Sequence, residues 1–228
     1  MLFKNENEFS LFPKCFFLAA IIFVTLLAGH LMFNDIDELS SFFKPYAING
    51  DFKRQVVLMF CLVFYASRLV VTVFVFLKRK MAWSEMLIVS GLMSFVLFSF
   101  AKDGGNSYQP IGVLDYFSIL LYLIGSWLNT ISEYTRYLWK SHDKNKGHLY
   151  TQGLFKYCMH INYFGDILLF IGFAMLTRHL SMVVIPLVMA LNFIFFIIPR
   201  LDTYLSNKYG KAFKKYAEKT KKFIPGIY

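Results

Sequence analysis

The sequence lacks the short motifs around which soluble nucleotide-binding and hydrolytic enzymes are built. It contains no strand followed by G-x-G-x-x-G, no G-x-x-x-x-G-K-[ST], no H-E-x-x-H and no G-x-S-x-G. Any nucleotide that binds must therefore be held by side chains and helix ends rather than by a glycine-rich loop.

Cysteine is also scarce. The three cysteines, Cys15, Cys61 and Cys158, are far apart and form no C-x-x-C pair. This spacing excludes a disulfide framework and gives no sign of a thiol metal site. We interpret the cysteines in apolar segments as packing residues and predict no metal site.

Acidic residues are few beside basic ones, with 14 Asp and Glu against 24 Lys and Arg and a net charge of +10. Most of the basic residues lie next to the ends of apolar segments. That placement is typical of loops that face anionic lipid on the cytoplasmic side of a membrane. We therefore expect no nucleic-acid partner.

The chain is instead rich in apolar residues: 57% of its 228 residues are hydrophobic and 27 are phenylalanine. Runs of roughly 20 residues nearly free of charge predict membrane helices. We predict an all-α polytopic membrane bundle, formed as a single domain over residues 1–228. We interpret the first run as a retained helix rather than a signal peptide. The predicted spans are 15–33, 56–77, 83–100, 115 to about 137, 163–177 and 180–198, followed by a basic amphipathic tail with a helix over 199–228.

The distribution of lysine and arginine around these spans predicts their orientation. With the amino terminus inside, eighteen of these residues, Lys4 among them, lie on the inner side and five on the outer side. Both termini are then cytoplasmic, and a bacterial inner membrane is the natural location. The expected partners are membrane lipids and a substrate taken from the bilayer.

Residues 147–166, GHLYTQGLFKYCMHINYFGD, interrupt the apolar pattern with polar and glycine residues. Gly147 and Gly153 are predicted turn residues, and Gly165 is expected to let two helices pack closely. A protein that only spans the membrane has little use for such a stretch at a helix entrance. We therefore expect a functional site here.

The end of the fourth span carries a polar face. Asn129, Glu133, Arg136 and Lys140 follow one another at spacings of three or four, so they share one side of a helix. Lipid cannot satisfy such groups, so they must face a bundle interior or a wet cavity. The alternative is an interfacial helix end in which Glu133 pairs with Arg136 or Lys140.

A second polar face follows the sixth span, which is expected to end at Pro199. Arg200, Tyr204 and Lys208 lie at i, i+4 and i+8. Their cationic groups suit a diphosphate in charge and donor geometry. The alternative is a basic helix against anionic headgroups, and this accounts for the lysines that follow, at positions 211, 214, 215, 219, 221 and 222.

The stretch from Gly153 to Asp166, G-L-F-x-Y-x-x-H-x-N-Y-F-G-D, resembles the signature of membrane reductases related to steroid 5-alpha-reductase and the sterol reductases. It resembles more closely a mostly uncharacterised bacterial family with the same C-terminal domain. The closing pattern K-Y-G-x-x-F-x-x-Y…F-I-P-x-I-Y is similar too. The resemblance covers about residues 115–228, whereas residues 1–112 are less recognisable.

This resemblance implies a reductase that uses NAD(P)H, with NADPH as the expected cofactor, to reduce a C=C bond in a lipid, steroid or isoprenoid-like substrate. Glu133 and Lys140 replace an aspartate and an arginine of the family, while Tyr204 and Lys208 replace a histidine and a tyrosine. The cofactor-binding residues that the resemblance implies are Asn129, Glu133, Lys140, His160, Asn162, Tyr163, Arg200, Tyr204 and Lys208.

Two acidic residues are candidates for the catalytic role. The family uses a glutamate of its amino-terminal half to polarise a substrate carbonyl, and Glu85 is the candidate here; the alternative is a helix-cap role together with Ser84. Asp166 is either a site group or the buried partner of a base such as Arg200. Arg68 lies within a span and needs a partner, for which Glu85 is also a candidate.

Two other functions remain open. The isoprenylcysteine carboxyl and phospholipid methyltransferases, which use S-adenosylmethionine, share a shorter R-H-P-x-Y-x-G motif, but residues 159–161 read M-H-I. Their paired glutamates after the last span are also missing, since residues 200–202 read R-L-D. The third possibility is a non-catalytic membrane protein that binds or moves lipids, and it predicts no cofactor affinity.

Overall fold

The computed structural model describes residues 10–34 and 40–228, so Lys4 lies outside the described residues. The described chain is helical: it contains no β-strand, and a single parallel bridge joins Cys158 to Lys221. The expected all-α class is therefore confirmed. The α-helices are α1 (Leu11–Phe33), α2 (Phe52–Val71), α3 (Trp83–Gly105), α4 (Val113–Ser141), α5 (Ile161–Leu176), α6 (Val184–Asn192), α7 (Ile198–Tyr209) and α8 (Lys211–Lys219).

Five helical stretches are long and apolar enough to cross a membrane: Leu11–Phe33, Phe52–Phe76, Trp83–Gly105, Val113–Ser141 and Leu180–Tyr209. The sixth apolar helix, α5, has 16 residues. At about 1.5 Å per residue it spans roughly 24 Å, less than the ~30 Å hydrocarbon core. The sequence predicted six spans with this one short, and its shortness is confirmed.

The last long helix does not end at Pro199, so that prediction is wrong. A 3₁₀ turn (Leu180–Val183), α6, a π-helical turn (Phe193–Ile197) and α7 follow one another without a break. Pro199 lies in the first turn of α7, where its missing N–H group costs least because the preceding π turn has already changed the hydrogen-bond register.

The chain divides into two compact units. The described residues of unit 1 are 119–172 and 184–228, and those of unit 2 are 10–34, 40–118 and 173–183. The candidate residues at α4, α5 and α7 therefore belong to unit 1, and Glu85 belongs to unit 2.

Unit 2 is built around apolar contacts of α1, α2 and α3. Ile21, Leu58, Leu97 and Phe100 are fully buried, and the ring of Phe100 stacks on Phe173 with 4.7 Å between centroids. These contacts anchor three membrane helices by van der Waals packing.

A buried ion cluster in unit 2 joins α2, the start of α4 and the turn after α5. Arg54 donates to Asp115 at 2.7 Å, and Arg178 donates to the other carboxylate oxygen at 2.6 Å. Arg54 also donates to the carbonyls of Gln109 and Leu176. The hydrogen bond to Asp115 raises the pKa of Arg178. Arg54 lies just before the predicted span 56–77, where a loop residue was expected, but the structure makes it fully buried.

Candidate functional site

The site in unit 1 begins with a close approach of α4 and α5 at two glycines. A Cβ at Gly125 would lie 2.5 Å from the Gly165 carbonyl oxygen, and a Cβ at Gly165 would lie 2.7 Å from the Asn129 nitrogen. Only glycine permits backbones this close, so the helices meet through small residues as membrane helices often do. The close packing expected of Gly165 is confirmed.

This contact brings together the polar groups of the two helices in one hydrogen-bonded line. The Asn129 amide donates to Asp166 at 2.9 Å and to the Asn162 carbonyl at 3.1 Å. The Asn162 amide donates to Glu133 at 2.8 Å, and the other oxygen of Glu133 accepts from Arg136. Five residues of α4 and α5 that the sequence had singled out are thus linked by direct contacts.

The line combines buried amides with partly accessible charges. Asn129 is 8% exposed and Asn162 is 9% exposed, whereas the Arg136 side chain is 36% exposed. The side-chain oxygens of Asn129 and Asn162 accept no hydrogen bond from any described residue. Because Glu133 fixes the Asn162 amide, this oxygen is an oriented acceptor.

A second group joins the start of α5 to α7 and the C-terminal segment. The His160 ring, with 3% of its side chain exposed, is hydrogen-bonded through Nε2 to Asp202 at 2.9 Å. The second oxygen of Asp202 accepts from Lys222 at 3.1 Å. Asp202 therefore holds the imidazole in one orientation.

Aromatic rings extend from this histidine. His160 stacks on Tyr163 at 5.8 Å, and Tyr163 stacks on Phe193 at 4.8 Å, with interplanar angles of 12° and 20°. The stack gives the site a flat, apolar wall next to the His160–Asp202 pair.

Backbone pairing with the C-terminal segment fixes the chain that leads into α5. Met159 donates to the Lys221 carbonyl at 2.8 Å, and His160 donates to the Lys222 carbonyl at 3.1 Å. These two hydrogen bonds hold the backbone of Lys222 next to that of His160. The Lys222 side chain is therefore close enough to bind Asp202, the partner of His160.

Cys158 lies inside this pairing. Its thiol donates to the Phe223 carbonyl at 3.1 Å, and the residue is fully buried. Burial raises the pKa of the Cys158 thiol to about 11. The residue is therefore a packing group, although it lies outside the apolar segments for which the sequence predicted that role.

The cationic residues lie around these groups with fewer fixed partners. Lys140 is within electrostatic range of both Arg136 and Lys208. Lys208 donates to the Tyr204 hydroxyl at 3.1 Å, and Arg200 is exposed. Lys140 and Lys208 therefore repel each other, and Arg136, although it is paired with Glu133, adds to the repulsion at Lys140.

One expected pairing is corrected by the structure. Asp166 receives a hydrogen bond from Asn129, whereas Arg200 is exposed and forms no ion pair with a described residue. For Glu133 the sequence left Arg136 and Lys140 open as partners, and the structure pairs it with Arg136.

The prediction for Glu85 is also corrected in part. Both of its carboxylate oxygens bind Arg79, so it is not the partner of Arg68, which lies over the Tyr65 ring at 5.1 Å. The N-cap of α3 is Ala82 rather than Ser84. A carboxylate in the first turn is nevertheless favourable to a helix.

Sequence reasoning missed Asp202, Lys222 and Gly125. Asp202 could have been found two residues after Arg200, and Gly125 four residues before Asn129 on the same helix face. Lys222 carried no signal that distinguished it from the neighbouring lysines. Among the residues that the structure describes, no three His, Cys, Asp or Glu side chains are grouped to hold a metal ion.

Comparison with known proteins gives one family. Residues 74–220 match the family described as "protein of unknown function (DUF1295)". No curated protein matches the chain.

Proposed function

The chain belongs to the DUF1295 family of proteins of unknown function, and we propose that it is a membrane-embedded reductase that uses NAD(P)H to reduce a C=C bond in a lipid or sterol-like substrate. The resemblance of residues 153–166 to the steroid 5-alpha-reductase-like enzymes supports this proposal. The description of the family itself assigns no activity.

The observation that carries the proposal is the hydrogen-bonded line between α4 and α5. A helix pair that only packs has no need of two amides and two carboxylates at its closest contact, because each buried polar group costs free energy unless it is paired. Here Asn129, Glu133, Asn162 and Asp166 are mutually paired. Two oriented amide oxygens are left over for a further donor.

The residues present fit a nicotinamide dinucleotide group by group. The carboxamide of nicotinamide is a hydrogen-bond donor that suits the Asn162 oxygen, and ribose hydroxyls suit the carboxylate of Glu133. Diphosphate suits the cations of Lys140, Lys208 and Arg200. All five residues belong to unit 1.

When bound, the reduced nicotinamide supplies a hydride to one alkene carbon, while the other carbon takes a proton and the cofactor is left oxidised. The chain's own contribution is orientation and charge. Asp202 orients His160, and the stack of Tyr163 between His160 and Phe193 holds the tyrosine ring beside this pair. The His160–Asp202 pair also holds a proton within the site.

The substrate class follows from the surroundings of the site. Unit 1 contains the apolar helix α5 and the long stretch through α6 and α7, so a substrate that reaches the site from the bilayer must be largely apolar. The same apolar surroundings exclude bulk water from the reacting carbons.

The test is cofactor binding to the detergent-purified protein. NADPH, NADH and S-adenosylmethionine are titrated in turn against the wild type and against Asn162→Ala and Arg200→Ala. Asn207→Ala is the matched control, because Asn207 is an exposed residue of α7 between Tyr204 and Lys208. We expect NADPH to bind, and each site variant to weaken it at least about tenfold, which corresponds to ~1.4 kcal/mol.

The other outcomes each reject the reductase. Tight S-adenosylmethionine binding without NADPH binding would indicate methyl transfer. Binding of none of the three would indicate a protein that holds lipid without catalysis.

A further inference from the structure

A basic cleft in unit 1 shares no lining residue with the candidate cofactor site described above. Its walls are the loop before α5 and one side of α8, and its volume is about 540 Å³. This lies within the roughly 300–1,000 Å³ typical of small-molecule sites. Three lysines line it, Lys156 from the loop and Lys215 and Lys219 from α8.

The two walls are held in place by contacts that do not involve the lysines. The Tyr216 hydroxyl donates to the Phe155 carbonyl at 2.6 Å, and burial raises the pKa of Tyr216, so it remains a phenol. The parallel bridge between Cys158 and Lys221 ties the same two segments. The cleft therefore has a fixed shape, unlike a set of lysines along a solvated helix.

The charge of the cleft is uncompensated. None of the three ammonium groups forms an ion pair or a side-chain hydrogen bond within residues 10–34 and 40–228, and no acidic residue lines the cleft. The nearest acidic residue in sequence, Glu218 of α8, does not line the cleft and forms no ion pair with a described residue, and Asp143 of the preceding loop pairs with Lys146. Three like charges that converge on one concave surface raise the local concentration of anions.

The remaining lining residues indicate which kind of anion fits. Thr151 and Thr220 bring hydroxyl donors, and His148 brings an imidazole. Leu149 and Ala212 add an apolar side. Ammonium and hydroxyl donors around one point match the several oxygens of a phosphate, and the apolar side matches an organic group attached to it.

We propose that this cleft binds the phosphate group of a small organic phosphate, either the headgroup of a membrane phospholipid or a soluble phosphate ester. The site is separate from the residues assigned to the nicotinamide cofactor, so the proposal does not depend on the reductase activity. It also differs from diffuse attraction of the tail to anionic lipid, because it requires particular lysines.

The experiment compares two triple variants with the same change in charge. Lys156→Gln, Lys215→Gln and Lys219→Gln remove the cations of the cleft. Lys211→Gln, Lys214→Gln and Lys221→Gln remove three cations of the same C-terminal region that do not line it.

Two probes distinguish the sources of phosphate. The soluble arm titrates glycerol 3-phosphate by calorimetry, and the lipid arm counts phosphatidylglycerol retained from nanodiscs by native mass spectrometry, with phosphatidylcholine as the reference lipid. We expect saturable binding in one arm, weakened at least about tenfold by the cleft variant and less than about twofold by the control variant. Saturation by glycerol 3-phosphate identifies a soluble ester, whereas selective retention of phosphatidylglycerol alone identifies a headgroup.

Equal loss in the two triple variants would overturn the proposal, because it would show attraction by net charge alone. Binding that neither variant changes would overturn it as well, and so would binding in neither arm. If the triple cleft variant unfolds, the uncharged change Thr151→Val replaces it. The expected weakening is then at least about fivefold, and a smaller effect would overturn the proposal.

Discussion

Asn129 is the residue at which the polar contacts between α4 and α5 converge. One amide group donates to both Asp166 and the Asn162 carbonyl. Removal of the amide leaves a carboxylate and a carbonyl without this donor in a buried position. Such groups are costly because no water replaces the lost hydrogen bond.

Asn129→Ala is therefore expected to lower the free energy of unfolding by about 1–3 kcal/mol. Thermal unfolding of the detergent-purified protein, followed by circular dichroism, measures the change. Asn207→Ala, at an exposed position of the α7 surface, is the control and should change it by less than about 0.5 kcal/mol. Equal stability of the two variants would show that the amide bonds contribute nothing.

Cys158 provides a prediction about chemical reactivity. The thiolate is the form that reacts with maleimides, and burial keeps Cys158 as a thiol up to about pH 11. In a variant with Cys15→Ser and Cys61→Ala, the folded protein should resist labelling at pH 8 and label fully after denaturation. Rapid labelling of the folded protein would contradict the buried position.

The same residue should make stability depend on alkaline pH. Below its ordinary pKa of 9.0 the thiol is protonated in both the folded and the unfolded states. The free energy of unfolding then contains the full stabilisation from the buried thiol and does not change with pH through this group. Between pH 9 and about 11 the unfolded state loses the proton first, and the folded state is destabilised. The wild type should therefore lose more stability than Cys158→Ala over this range, as measured by Tm.

At this scale the sequence predicts residues that share a helix face but not residues that meet across the chain. The spacing of Asn129 and Glu133 was enough to place them on one face. His160 was singled out by its motif, whereas its partner Asp202 lies 42 residues away. The contact depends on how the C-terminal segment folds back, and no local pattern records that.

At the scale of helices, the approach of α4 to α5 depends on Gly125 and Gly165. Gly165→Ala places a methyl group 2.8 Å from the Gly125 carbonyl oxygen, so the two backbones must move apart. We expect a loss of about 1–3 kcal/mol in unfolding free energy and weaker cofactor binding, because the amide line is disturbed.

Gly91→Ala is the matched control for this change. Gly91 is also inside a helix, and a Cβ there meets no atom within 4 Å. Alanine should stabilise that helix by about 0.5–1 kcal/mol. If both alanines have the same effect, helix propensity and not close packing explains Gly165.

The ion cluster in unit 2 gives a second prediction at the scale of helices, because it joins α2, the start of α4 and the turn after α5. Asp115→Asn leaves Arg54, which is fully buried, without its counter-charge, and breaking a buried pair costs about 3–5 kcal/mol. The exposed pair of Asp143 and Lys146, with side chains 90% and 69% exposed, is the comparison. Asp143→Asn should cost less than about 1 kcal/mol, and a similar loss in both variants, measured by thermal unfolding, would contradict the structural role of Asp115.

The helices themselves were largely predictable, because apolar runs of this length have few other structures in a membrane protein. The end of the last helix was not predictable, since Pro199 usually marks a helix boundary. The π turn over Phe193–Ile197 accommodates the proline within a continuous helix, and a π turn leaves no mark in hydrophobic periodicity.

At the scale of the whole molecule, the residues that the structure describes form five helical stretches able to cross a membrane and one shorter apolar helix. The fold class followed from composition and run length alone. The division of the described chain into two units could not be predicted from the sequence, because the boundaries fall inside helices: α4 and α5 each contribute residues to both units. The sequence therefore predicted the helices more fully than their grouping.

The central claim is that a nicotinamide cofactor binds to the faces of α4, α5 and α7 in unit 1. Carbene footprinting of side chains, with and without NADPH, tests this most directly. We expect protection in residues 133–140, 160–166 and 200–208, and none in α3. No change on addition of saturating NADPH, or protection confined to other segments, would contradict the proposed site.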